Sequence, residues 1–532
     1  MPTRKFKVVL AAAEAVPIAK AGGLADVISA LSSALAELDC DVTVVMPAYG
    51  FVDRSAHGLT PVEGFEASVP VGARDEPVRV LSGMLGSTAV QLLLVDHPGF
   101  FARDGLYADA SGHEFGDAVE RWVYLSRAVL AALPALGEAP DVLHLNDHHV
   151  ALSAVYRDLE LSRGNAFLAH TGVVLGLHNL GYQGTYDADR FALTGLPPEF
   201  MANMGPLEFW GRMNFLKAGL VHADLLTAVS PTYAHEIQSG PELGHGLHDV
   251  LRQRSADVVG ILNGIDTQVW NPARDPLLPA RYDATSLNGK AECKRELQRR
   301  SGLVPDAKLP LFGMITRLVE QKGVDLLLEA LPLLMRMPVQ IVLLGRGRAD
   351  YEQSLAACAR QHPRRIAVHL EFDDALAHWI EAGSDFFLMP SRYEPCGLNQ
   401  MYSMRYGTIP VVRRTGGLAD TVQDWDPDSL EGTGFLFDAY RSEAFLAALR
   451  RACEVYARPE QLARLRRAGM RQDFSWGRSA RSYRAVYERA WARRAPRVAP
   501  RTPERAQPGF GPDGGIDTRP RIGNIRADFG RE

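Results

Sequence analysis

The segment FKVVLAAAEAVPIAKAGGLADVISAL, residues 6–31, decides the fold. Residues 6–12 form a short apolar run, a glycine pair (Gly22, Gly23) follows, and from Leu24 onward apolar positions recur at helical spacing. A strand, a glycine turn and a helix in that order make the repeating unit of a parallel sheet covered by helices. Arg4, Lys5 and Lys7 beside the apolar run imitate a secretion signal, but Glu14 interrupts the run. The segment therefore reads as a buried first strand.

The same alternation continues along the chain. Apolar, β-branched runs recur at DVTVVMP (41–47), VQLLLVD (90–96), DVLHLND (141–147), GVVLGLHN (172–179) and DLLTAVS (224–230), followed by VVGILNGID (258–266). A second series comprises LPLFGMIT (309–316), VQIVLLG (339–345), IAVHLEF (366–372), DFFLMPS (385–391), IPVVRRTGG (409–417) and GTGFLFD (432–438). Two doubly wound parallel sheets are expected. A polar stretch containing Pro272, Pro276 and Pro279 separates the series, which places a first domain at 1–262, a linker region at 263–310 and a second domain at 311–472. A helical segment at 473–494 is expected to cross back to the first domain, and the Pro-, Gly- and Arg-rich tail 495–532 is expected to be disordered. Ligands of such sheets collect beyond the carboxyl ends of the strands, here in the crevice between the domains.

Composition narrows the function classes. The 532 residues are 46% hydrophobic and 23% charged, and 58 basic against 63 acidic residues leave a formal charge of 58 − 63 = −5, so neither nucleic acid nor an anionic membrane is suggested as a partner. No apolar stretch reaches the ~18 residues that would span a bilayer. The cysteines (Cys40, Cys293, Cys358, Cys396, Cys453) are odd in number and never spaced C-x-x-C, which fits free thiols in a reducing, cytoplasmic compartment. There is no Walker A sequence, no G-x-S-x-G elbow and no H-E-x-x-H; GRGR (345–348) lacks the third glycine of a dinucleotide fingerprint.

What remains points to a sugar nucleotide. The pentapeptide GGLAD occurs twice, in KAGGLADV (20–27) and RTGGLADT (414–421). Adjacent glycines opening a helix let backbone N–H groups approach an anion, although a tight turn without ligand explains each pair alone more simply. Lys20 adds a cation beside the first pair, and ITRLVEQKG (315–323) brings Arg317 and Lys322 to a strand end in the second domain, where both can reach a diphosphate. Polar clusters close other strands: HLNDHH (144–149), HNLGYQG (178–184) and SRYEPCGLNQ (391–400). Imidazoles, amides and a carboxylate suit a polyhydroxylated ligand.

These residues resemble the bacterial glycogen synthases and plant starch synthases, retaining glucosyltransferases of the two-Rossmann architecture called GT-B, with the domains facing a deep cleft. The resemblance runs from about residue 7 to 491 and includes KAGGLADV, LEFWGRMNFLKAGL (207–220), AVSPTYAHEI (228–237), ILNGIDTQVWNP (261–272), ITRLVEQKGVDLL (315–327), AGSDFFLMPSRYEPCGLNQ (382–400) and GTIPVVRRTGGLADTV (407–422). It implies transfer of glucose from ADP-glucose to the non-reducing 4-OH of an α-1,4-glucan such as glycogen, with retention; since none of the polar clusters has the spacing of a metal-ligand array, no metal or other cofactor is expected. Carried over by position, Lys20, Gly22 and Gly23 would contact the donor, and Arg317 and Lys322 would neutralise the departing ADP. Glu394 would be the acidic residue at the donor sugar, supported by Cys396, Gly397 and Leu398. His149 would turn its backbone carbonyl to the anomeric carbon. Asp26, His178, Asn179 and Asn263 would line the glucose or acceptor side, and Thr415, Gly416 and Gly417 would close on the donor from the second domain.

The chain departs from the family at Asn146 and His148, where a histidine and a tryptophan are usual, so an altered acceptor-side wall is expected. GRGR and Glu371-Phe372 are further departures. UDP-glucose as donor, short maltooligosaccharides as product, and a catalytically silent glucan-binding regulator fit the same residues, as does a covalent route through Glu394. The sequence leaves oligomeric state open.

Overall fold

A computed structural model describes residues 5–109 and 112–495; the tail at 496–532 lies outside the described residues. Among the described residues the first sheet has ten strands. Its parallel part runs, in spatial order, Val258–Gly260, Leu225–Ala228, Gly172–Leu177, Val142–Asn146, Phe6–Ala11, Cys40–Pro47 and Gln91–Asp96. Val8 lies opposite Val42 on one side and Val142 on the other. Leu10, Ala11, Val44 and Leu145 are fully buried, because helices cover both faces, and this is why these strands read as continuous apolar runs.

An antiparallel edge escaped the sequence reading. Arg74–Met84 pairs with Gln91–Asp96 and turns through Gly72 onto Ala67–Val71, its buried residues Val78 and Val80 separated by polar ones. A small second sheet of Glu208–Phe209, Arg212–Asn214 and Thr185–Asp187 was also not anticipated. The second large sheet is parallel throughout, in the order Ile366–His369, Gln340–Leu344, Leu311–Ile315, Phe386–Met389, Ile409–Arg413 and Phe435–Phe437.

Two features fix the lobes to each other. The helix Trp476–Arg494 packs on the helix Gly23–Ala36 and on strand Gly172–Leu177, and its Tyr487 hydroxyl meets His144 Nδ1 at 2.8 Å. The second is a reciprocal cap between the helix Pro231–Ser239 of the first lobe and the helix Gly416–Thr421 of the second. Asp420 accepts from the Thr232 amide (2.8 Å) and hydroxyl (2.7 Å), while Glu236 accepts from the Thr415 hydroxyl (2.9 Å) and the Gly416 amide (3.0 Å). Each helix N-terminus thus holds a carboxylate of the opposite lobe, where the helix dipole favours it. Ser230 adds a hydrogen bond to the Pro395 carbonyl at 2.7 Å.

Candidate active site

Loops that follow the strand ends Ala11, Asn146, Leu177, Ile315 and Met389 converge on one cleft of about 1430 Å³. Of the residues expected there, Lys20, Gly22, Gly23, His149, His178, Asn179, Asn263, Arg317, Lys322, Glu394, Cys396, Gly397 and Leu398 form its walls. The location agrees with the rule for open parallel sheets.

On the first-lobe side, the glycine turn is organised by a residue the sequence reading passed over. The buried Glu14 carboxylate accepts from the amides of Ala21 (2.5 Å) and Gly22 (2.8 Å), and from the Tyr107 hydroxyl through its other oxygen. A Cβ built on Gly22 or Gly23 meets nothing within 4 Å, so the bare backbone faces open cleft. Lys20 pairs with Asp26 at 2.8 Å; Asp26 itself stands behind the turn and not on the cleft wall.

Asp147 is the second residue that sequence reasoning missed. It takes φ = 59° ahead of the helix His148–Ser162, a conformation that costs a non-glycine residue free energy and that recurs at functional sites. Its carboxylate accepts from the His178 amide at 2.9 Å, yet burial, with Glu14 adding to it, pushes its pKa up to about 7. The signal available in the sequence was HLNDHH, where the acid sits between the imidazoles that drew attention.

Burial disfavours the charged form of the cleft histidines His148, His149 and His178. Burial holds His178 and His148 at about 4, and burial followed by the neighbouring His148 and Arg121 holds His149 well below the usual imidazole range. His149 stacks on Tyr107 (4.8 Å between centroids) and meets Trp122 edge-on. Its carbonyl, in the first turn of the helix, accepts from Ser126 Oγ at 3.4 Å, and the residue lines the cleft. His178 follows a strand end on the same wall, and no donor among the described residues bonds its carbonyl. The His178 ring is held by Asn146 Oδ1 at 2.9 Å. Asn146 is fully buried beneath it, so that departure supports His178 from below, while His148 does line the cleft. Asn263 Oδ1 is buried without a partner on the same wall.

The second lobe contributes an ion pair and a free cation. Lys322 Nζ donates to both Glu394 oxygens (2.8 and 2.7 Å), and Ser391 Oγ donates to the same carboxylate at 3.0 Å. Arg317 is exposed and reaches across the cleft to the Tyr182 hydroxyl at 3.3 Å. Burial pushes the Cys396 thiol up to about 12, which leaves it a poor nucleophile. Glu371 and the exposed Phe372 form part of the rim.

Thr415, Gly416 and Gly417 are not on the cleft wall. A Cβ on Gly416 would lie 1.9 Å from the Glu394 carbonyl oxygen, and one on Gly417 would lie 2.2 Å from that of Cys396. These glycines let the second GGLAD turn back the loop that carries Glu394, and the Gly416 amide is already spent on Glu236. Among the described residues no group of three or more His, Cys, Asp or Glu is arranged to hold a metal ion, and no helix is long and apolar enough to cross a membrane.

Comparison with known proteins gives this arrangement its relatives. Residues 7–253 match the model of the starch synthase catalytic domain, and residues 295–471 match that of glycosyl transferases group 1. A glycogen synthase of Anaeromyxobacter dehalogenans (strain 2CP-1 / ATCC BAA-258) is 48% identical over 483 residues, covering 91% of this chain and 98% of that protein. One from Myxococcus xanthus (strain DK1622) is 47% identical over 486 residues, covering 91% and 99%. The catalytic domain of starch synthase IV from Arabidopsis thaliana, solved bound to ADP and acarbose, superimposes with a TM-score of 0.82 at 35% identity, covering 92% of this chain and all of that one.

Proposed function

The chain belongs to the glycogen and starch synthase family of GT-B glycosyltransferases, and from that premise we propose that it transfers glucose from ADP-glucose to the non-reducing 4-OH of an α-1,4-glucan with retention of configuration. One observation carries this reading: the open glycine turn with Lys20 and the Arg317, Lys322 and Glu394 cluster line a single cleft, which offers bare backbone, cations and sugar-binding acceptors to one ligand. ADP bound to the Arabidopsis relative supports an adenosine donor.

Departure of ADP leaves an oxocarbenium-like sugar, so catalysis rests on positive charge preorganised at the diphosphate. Arg317 and Lys322 supply it from the second lobe, and Gly22 and Gly23 admit the diphosphate to within backbone contact. Glu394 fixes Lys322 and accepts from sugar hydroxyls. Its engagement by Lys322 and Ser391 weakens it as a nucleophile and favours attack by the acceptor from the face that ADP vacates, with a β-phosphate oxygen taking the proton. The backbone carbonyl of His149 faces the anomeric carbon, with that of His178 on the same wall; Asp147 adds negative charge beside them, and Asn179 and the unpartnered Asn263 Oδ1 meet sugar hydroxyls. Since two cations already meet the leaving group, the reaction is proposed to need no metal, and the free thiols fit a cytoplasmic setting.

The test is incorporation of radiolabelled glucose into glycogen from ADP-glucose and UDP-glucose in parallel, with and without EDTA. Incorporation from ADP-glucose at least tenfold faster, unaffected by EDTA, is expected; no incorporation from either donor would overturn the synthase reading, and a preference for UDP-glucose would overturn the donor.

A further inference from the structure

We infer that Trp210 is an acceptor-binding platform that holds a long glucan chain outside the catalytic cleft; this rests on the acceptor being a glucan. Trp210 lies at the tip of a two-residue hairpin between Glu208–Phe209 and Arg212–Asn214, in which Phe209 pairs with Arg212. Trp210 has φ = 51° and Gly211 φ = 79°, the positive values that both central residues of a type I′ turn require. Asparagine is the residue that enters such a turn at least cost, and a bulky aromatic is among the worst. The strain is not offset by burial, because Trp210 is 78% exposed.

The ring is nonetheless held in place. It packs on Phe209 with 4.4 Å between centroids, and Gly246 (φ = 82°) lies directly under both rings, where a Cβ would come within 2.5 Å of Trp210 Cη2 and 2.9 Å of Phe209 Cζ. The tip is anchored from below by Lys217, which donates to the Gly205 and Glu208 carbonyls, and by Glu208, which accepts from the Gly211 amide at 2.9 Å. A rigid, supported aromatic face that is left exposed is built for a ligand.

The place of the platform names the ligand. Arg212, two residues beyond Trp210, and His245, next to Gly246, both line the cleft, as do Thr185 and Tyr186 of the adjoining strand and Gly184 before it. A polymer whose reacting end is in the cleft and whose chain leaves on the Arg212 and His245 side passes this hairpin. The apolar faces of its glucose rings are what a tryptophan ring can cover.

The variant that tests this is Trp210→Asn, which removes the ring while giving the turn its preferred residue, so the fold is retained. In the full chain, the KM for glycogen should rise about tenfold while the KM for maltotriose, too short to reach past the cleft, moves less than about twofold. Trp210→Tyr should recover most of the glycogen effect. Migration in native gels containing glycogen, with no donor present, should be retarded for the parent and less so for Trp210→Asn. An unchanged glycogen KM and migration in Trp210→Asn, or an equal rise for both acceptors, would overturn the platform. If the parent transfers no glucose at all, the synthase reading fails, and the gel alone still decides whether Trp210 binds glucan.

Discussion

Replacing Lys322 with alanine should cost both activity and folding stability, and a second substitution should separate the two losses. Lys322 and Glu394 are 20% and 5% exposed and joined through both carboxylate oxygens. Removing one partner of an enclosed ion pair strands the other charge, at a cost of about 3–5 kcal/mol. Lys322 opens onto the cleft, where solvent screens part of that charge, and Ser391 still donates to Glu394, so about 2 kcal/mol is the expected net loss. For lobes of this size that lowers the melting temperature by about 4–8 °C. Turnover should fall by about 10²–10³, the usual effect of deleting one preorganised donor to a developing anion. Adding Glu394→Gln removes the stranded charge and keeps the side-chain shape, so the double variant should melt within about 2 °C of the parent and stay inactive. Calorimetry and the incorporation assay read the two quantities separately. A Lys322→Ala protein melting with the parent, or a double variant melting no higher than the single one, refutes the reasoning. Arg317→Ala is the internal comparison: its guanidinium is exposed and, among the described residues, hydrogen-bonds the Tyr182 hydroxyl alone, so it should lose comparable activity with a melting shift under about 2 °C.

The two glycine turns should respond oppositely. Gly22→Ala should melt like the parent and raise the donor KM at least about tenfold, since only ligand contacts the added methyl, whereas Gly417→Ala should lose more than about 2 kcal/mol in denaturant unfolding because the methyl collides with Cys396 backbone. Asp147 should give stability and activity opposite pH slopes. Its folded pKa of about 7 lies above the unfolded value, so the native state keeps a proton that the unfolded state releases, and this group's contribution to stability falls as pH rises from about 4 to about 7. kcat/KM should climb as the carboxylate ionises around pH 7, and Asp147→Asn should flatten both profiles. Glu236→Ala should lose about 0.5–2 kcal/mol by uncapping the Gly416 helix, a loss that Glu236→Gln halves or better, both read by thermal melting.

Strands buried on both faces were legible because burial on both sides forces an unbroken apolar run, as in VVLAA beside VTVVM. The hairpin at 67–84 was not, because one side of it is wet and its buried valines alternate with exposed residues, and the two- and three-residue strands at 208–214 are too short to carry a period. Within the cleft, residues that project chemistry outward were found by type: Lys20, Arg317, Lys322 and Glu394. Residues whose work is to hold others were missed. Glu14 looked like a blemish in an apolar run because nothing local reveals that its carboxylate fastens a turn seven residues on. Asp147 was hidden by its neighbours, since a backbone angle leaves no mark in composition.

The repeated pentapeptide marks where local reading stops. GGLAD specifies a glycine-opened helix N-terminus both times, and both times the amides there meet a carboxylate: Glu14 at the first, Glu236 at the second. What differs is the origin of that carboxylate and what faces the glycine Cα. Glu14 comes from the same loop and leaves the Gly22 and Gly23 faces open, so the first turn can receive a diphosphate without displacing anything. Glu236 comes from the opposite lobe and the Gly416 face is closed by the Glu394 carbonyl, so the second turn transmits the position of one lobe to the loop that carries Glu394. A face open to the cleft at one end of the chain and registration of the lobes at the other are thus two uses of one helix-start chemistry. The choice between them is made by residues 180 positions away in sequence, which is why no local motif records it.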